Sequence, residues 1–159
     1  MKRNVLLVTL ILVMTLLLAV GIAVAAQPGA LLGANLSGAP AGADTNGRGR
    51  ANLMLDGNEL YFLMALSELE GEPVAAHIHY ADVPGGNGSP AISLCGAFGP
   101  PPIPVAECAG PGTISGVISL GDAQIDTLLT AVAENRAYVN VHTTVFSSGE
   151  VRGQLSTAH

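Results

Sequence analysis

The chain of 159 residues has a single lysine, Lys2, which stands beside Arg3 at the extreme N-terminus. Past that point the basic residues are Arg48, Arg50, Arg136 and Arg152, set against twelve Asp and Glu residues. With residues 1–26 removed, four arginines face twelve acids and the net charge is −8. Phosphate neutralisation depends on Lys and Arg, so nucleic acid is not an expected partner. The same shortage argues against attraction to anionic lipid headgroups. Cysteine is scarce too. Cys95 and Cys108 are the whole supply, and no histidine or third cysteine lies near them in sequence to make a metal site of that pair. Signatures of common catalytic machinery are also missing. There is no Gly-x-Ser-x-Gly elbow, and Gly85-Gly86-Asn87-Gly88 is not followed by the Lys-Ser/Thr pair of a phosphate loop. The expectation is a protein that is not an enzyme.

What the chain does have begins with an apolar run from Val5 to Val24, preceded by Lys2-Arg3 and followed by Ala23-Val24-Ala25. A positive head, an apolar stretch and a small-residue cleavage site make a secretory signal. Cleavage after Ala25 or Ala26 is expected, in preference to a retained anchor, although a run of ~20 residues is long enough to span a bilayer as a helix. No cysteine ends the run, so a lipid anchor is not indicated. The expected layout is a signal peptide over 1–26, a linker over 27–30 and one β domain over 31–157, in a secreted or periplasmic protein with no membrane attachment after cleavage. In such a compartment Cys95 and Cys108 are expected to form a disulfide.

The mature chain reads as short alternating strands. They are expected at 31–36, 48–55, 59–66, 74–80, 91–95, 112–120, 137–145 and 150–156, with a hairpin turn at Asp56-Gly57-Asn58 and loops at 81–90 and 96–111. The one clear helical pattern is Ile125, Leu128, Leu129 and Val132, which predicts a helix over about 122–135 with Asp122 as its N-cap. Many short strands with one helix imply an antiparallel sandwich or barrel, the helix covering an open end or edge.

Strand parity then places polar side chains together. His77 and His79 share a face opposite Ile78, and Tyr138, Asn140 and His142 share a face opposite Val139 and Val141. A turn centred on Phe146 brings Asn140 opposite Arg152, Val141 opposite Val151 and His142 opposite Glu150. That register keeps the apolar faces together. On a structural reading Glu150 holds His142, Arg152 holds Asn140, and the whole polar face is sealed by hydrogen bonds. On a metal-binding reading His77, His79 and His142 supply three nitrogens to a copper or zinc ion, with Glu150 as a fourth ligand or as its support.

The ordered segments Ala75-Ala76-His77-Ile78-His79, Gly86-Asn87-Gly88, Ala137-Tyr138-Val139-Asn140-Val141-His142-Thr143 and Gly149-Glu150-Val151-Arg152-Gly153-Gln154-Leu155 resemble the CHRD domain, the module named for the secreted morphogen antagonist chordin and found singly in bacterial exported proteins. The usual proline of the final turn is replaced, since the chain reads Ser147-Ser148-Gly149-Glu150. The resemblance implies an immunoglobulin-like antiparallel β-sandwich or barrel of Greek-key type outside the cytoplasm. In chordin such domains accompany cysteine-rich modules that bind bone morphogenetic proteins. No such module is present here, so growth-factor antagonism does not carry over. The biochemical role of lone versions is undefined by the resemblance; with no catalytic set in the chain, the expectation is a structural or interaction module whose partner is an unidentified extracellular protein or surface component. The string His77-Ile78-His79 also looks like the histidine strand of Cu/Zn superoxide dismutases, but four histidines in all are too few for a dinuclear site with a bridging histidine. No cofactor is expected beyond a possible copper or zinc ion.

Overall fold

The computed structural model describes residues 29–96, 107–108 and 112–158. The apolar segment 1–26, most of the loop between the cysteines, and His159 lie outside them. The elements are β1 (Ala30–Ser37), α1 (Gly38–Ala41), β2 (Arg48–Asp56), β3 (Glu59–Ser67), β4 (Pro73–Ala81), β5 (Gly88–Cys95), β6 (Thr113–Ser119), α2 (Asp122–Ala133), β7 (Ala137–Thr143), β8 (Val151–Gln154) and β9 (Ser156–Thr157). The strands form one antiparallel sheet in the order β5-β4-β7-β8-β1-β2-β3-β6, with β9 paired to β1, nearly closed into a barrel. This is the all-β sandwich or barrel class expected.

Alternation explains the strands and the core together. β2 turns Ala51, Leu53 and Leu55 inward, and β3 answers with Leu60, Phe62, Met64 and Leu66. The register sets Leu53 against Phe62 and Ala51 against Met64. Each fully buried side chain of this size stabilises by about 1.5–3 kcal/mol. Gly57, at φ 56°, makes the turn between the two strands. On the outer side of the same strands Leu31, Met54, Tyr61 and Val117 stand in one row across β1, β2, β3 and β6, each 41–53% exposed.

α2 closes against this core through Leu128, Ala131 and Val132, with Ile125 and Leu129 partly covered. Its N-cap is Gly121 rather than Asp122. The Gly121 N–H donates to Gln124 Oε1 at 3.0 Å, so the third helical residue supplies the cap that Asp122 was expected to provide. Other elements also differ from expectation, β7 ending at Thr143 and α2 at Ala133. Gly88, Ser89 and Pro90 belong to β5 and not to a loop, because they pair with Ala81, Tyr80 and His79. The final strand splits into β8, which pairs β7 and, at Arg152, β1, and β9, which pairs β1. The short turn of helix α1, among small residues with little periodicity, had no sequence signal.

β4 and β7 lie side by side near one end of the strand order, and both are buried on both faces. Their inner faces carry Ala76, Ile78, Val139 and Val141 into the core. Their outer faces are polar yet still buried: His77, His79, Asn140 and, on the adjoining β8, Arg152. A buried polar outer face needs a structural or chemical reason.

Candidate metal centre

The register of β4 and β7 assembles the histidines. His77 lies opposite Asn140, His79 opposite Tyr138, and Ala75 opposite His142. A small residue at 75 leaves room beside the His142 ring. The three rings form a triangle, with centroids 5.0 Å apart for His77–His142, 5.7 Å for His77–His79 and 6.0 Å for His79–His142. One ring nitrogen from each lies within 4.8 Å of the other two. At nitrogen–metal distances of ~2.0–2.1 Å, tetrahedral donors sit roughly 3.4 Å apart. Ring tilts of about 1–1.5 Å would therefore close the set on a single ion.

Backbone carbonyls fix two of the tautomers. His79 Nδ1–H donates to Gly88 O at 2.9 Å, and His142 Nδ1–H donates to Ser147 O at 2.9 Å. A carbonyl only accepts, so the proton sits on Nδ1, and in the neutral ring the lone pair is on Nε2. The Asn140 amide, donating at 3.4 Å to His142 Nε2, agrees with that assignment. His79 Nε2 is buried and, among the described residues, has no hydrogen-bond partner. Burial holds the His79 imidazole below its ordinary pKa, with His142 and Arg152 adding to the effect and the Gly88 carbonyl opposing it. A neutral ring whose Nδ1–H is anchored and whose Nε2 is open is the form that ligates metals.

Two loops frame the triangle. Gly86-Asn87-Gly88 is held by Arg152, whose guanidinium donates to Asn87 Oδ1 and Gly86 O, and by the Tyr138 hydroxyl, which exchanges 3.1 Å hydrogen bonds with the Gly88 backbone. Arg152 lies 3.4 Å above the Tyr138 ring, which in turn stacks on His79 at 4.8 Å. Ser147-Ser148-Gly149 is held by His142 and by Asn140 Nδ2, which donates to Ser148 O at 3.1 Å. Gly149, at φ 123°, lies so close to the Asn140 amide that a Cβ would come within 2.2 Å of its oxygen. Tyr138, Asn140 and Arg152 sit beside the histidines. Arg152 does not hold Asn140 as expected: although the two residues pair in register, its guanidinium reaches Asn87 and Gly86 instead, a contact that sequence reasoning missed. The Gly-Asn-Gly triplet was the available signal, since glycines flanking a lone Asn leave its side chain free to reach a neighbouring strand.

Glu150 requires a correction. Both its oxygens are engaged away from His142: Oε1 accepts from Thr45 Oγ1 and Glu70 N, and Oε2 from Thr143 Oγ1 and Gly71 N. The pairs Asn140–Arg152 and Val141–Val151 form as expected. However, Glu150 N–H also bonds Val141 O, so residues 150 and 151 both address Val141 in the manner of a β-bulge. Bulges re-aim side chains, and simple alternation cannot carry Glu150 to the histidine side. It is neither a ligand in this geometry nor the partner of His142. The Cys95–Cys108 disulfide is formed, with Cα atoms 5.1 Å apart.

The comparison with protein families agrees with this architecture. The CHRD domain model matches residues 32–155, which includes every strand of the sheet in whole or part except β9. The chain belongs to the CHRD domain family. No curated protein and no solved structure gives a significant match. For a CHRD domain the match extends over the histidine strands, both framing loops and the final hairpin. No helix among the described residues is long and apolar enough to cross a membrane.

Proposed function

We propose that this CHRD domain is exported, acts by binding and not by catalysis, and holds one copper or zinc ion between His77, His79 and His142. The observation that carries the reading is the convergence of three ring nitrogens within 4.8 Å, two of them on rings whose tautomers are set by backbone carbonyls. Such support is characteristic of metal-ligating histidines. The sequence of the N-terminal segment and the disulfide support export. The test is elemental analysis of the purified mature protein, followed by melting with and without added metal. A ligand at a hundredfold excess over its Kd that binds only the folded chain stabilises it by about 2.7 kcal/mol, roughly 10 °C for a domain of this size. Absence of both bound metal and any shift would overturn the reading.

A second reading, an interaction module for an extracellular protein or surface component, is favoured by the exposed row Leu31, Met54, Tyr61 and Val117. Apolar rows of this kind mark contact surfaces. Here Met54→Ser with Tyr61→Ser should abolish association with a culture-surface component while leaving melting unchanged. Retained association would remove that surface from consideration.

A further inference from the structure

We propose that the three-histidine centre selects monovalent copper over divalent copper and zinc. This rests on the metal-binding reading above and adds the charge of the ion it takes. The donors are three imidazoles, and imidazole brings no negative charge. Among the described residues no carboxylate joins them, because Glu150, the nearest candidate in register, spends both oxygens on Thr45, Thr143 and the 70–71 backbone. The cysteines are joined to each other and offer no thiolate. One full charge already stands on this face, and it is positive: the Arg152 guanidinium, stacked on Tyr138, which is stacked on His79.

Ion charge decides the matter under these conditions. The cost of placing an ion in a poorly solvated site grows with the square of its charge, and repulsion from Arg152 grows in proportion to it. A divalent ion would recover that cost by importing an anion, such as hydroxide, as its fourth ligand, as open zinc sites do. His77 and His79 are only 0% and 5% exposed, and of the three ligands His142 alone is half-buried, which confines solvent to one side of the centre. Copper(I) closes its shell with fewer donors than zinc, accepts imidazole, and brings half the charge. The three nitrogens satisfy it without help.

The experiment uses the mature protein and the metals alone. Copper(I) is titrated anaerobically in competition with bicinchoninate, and copper(II) and zinc(II) against chromophoric chelators at the same pH. The same titrations on His142→Gln, the least buried of the three ligands, show whether binding is at the centre. The expected result is one copper(I) per chain, bound at least about tenfold more tightly than either divalent ion, and weakened by His142→Gln. X-ray absorption should show copper(I) with nitrogen neighbours only. Zinc(II) or copper(II) binding as tightly as copper(I) at the same histidines would overturn this inference and leave the metal centre standing. Failure of all three ions to bind, or binding indifferent to His142→Gln, would overturn the metal centre itself and this inference with it.

Discussion

Glu150 shows how much one buried residue can decide. It is fully buried and receives four hydrogen bonds, two from hydroxyls and two from backbone N–H groups. Burial alone would raise its carboxyl, but the donors from Glu70, Thr143, Thr45 and Gly71 outweigh it and hold the group below its ordinary value of 4.5. A carboxylate whose folded pKa lies below its unfolded one stabilises fully above the unfolded value, and that contribution drains away as pH falls through the folded value. The native protein should therefore lose stability on acidification below about pH 4.5, and Glu150→Gln should show a flatter curve over the same range. At neutral pH the substitution should cost about 2–3 kcal/mol, because an amide nitrogen then faces donors that need an acceptor. Urea unfolding of both proteins at pH 7 and pH 4 reads both effects, and equal acid slopes would remove Glu150 as the cause. The face carrying His77, His79 and His142 was legible from parity, while the destination of Glu150 was not. Parity holds along a ladder, and Glu150 sits at a bulge just before one, in contact with residues 80 and 105 positions away.

At the scale of elements, the site depends on a turn that composition alone reads as a loop. Gly-rich sequence from 84 to 90 suggested irregular structure, yet Gly88 begins β5 and its carbonyl receives both His79 and Tyr138. The strand is possible because the backbone of β4 comes very close. A Cβ on residue 88 would lie 1.7 Å from Tyr80 O. Gly88→Ala should push the β4–β5 connection outward at a cost of about 1–3 kcal/mol. The same displacement would free His79 Nδ1 from its carbonyl and loosen the tautomer that leaves Nε2 open. Thermal melting measures the first effect, and the Nδ1/Nε2 pattern in nitrogen NMR of labelled histidine measures the second. A variant that melts as the native protein does, with the same His79 tautomer, would show that the close approach is not required. β2, β3 and α2 were legible almost to the residue because each is half-buried, and half-burial writes its period into the sequence. β4 and β7 are buried on both faces, so although β4 was legible to within a residue at each end, their neighbours were set by contacts distant in sequence, and β7 stops at Thr143, short of the expected 145.

At the scale of the molecule, the sheet has two unjoined edges among the described residues, β5 and β6, and the disulfide lies at the end of one of them. Cys95 is the last residue of β5, wholly buried and part of the core, while Cys108 packs partly against it. The bridge spans 13 positions, and closing a loop of that size stabilises by roughly 3 kcal/mol on the chain-entropy account. The Cys95→Ala/Cys108→Ala protein should accordingly melt about 10 °C lower. The histidines, however, do not depend on that edge alone. His77 and His79 are on β4, which pairs along most of its length with β7, and His142 is on β7 itself. Cys95 pairs with Ala76 beside His77, but its own partner is not a histidine and the pairing with β7 still holds β4 in place. Loss of the bridge should thus lower global stability while changing metal Kd by no more than the about threefold that weakly coupled sites show. Calorimetry and metal titration on the same sample separate the two. Affinity falling in step with stability would mean that β5, through Ser93 opposite His77 and Pro90 opposite His79, holds the centre together, and that the barrel's edge and its site are one cooperative unit.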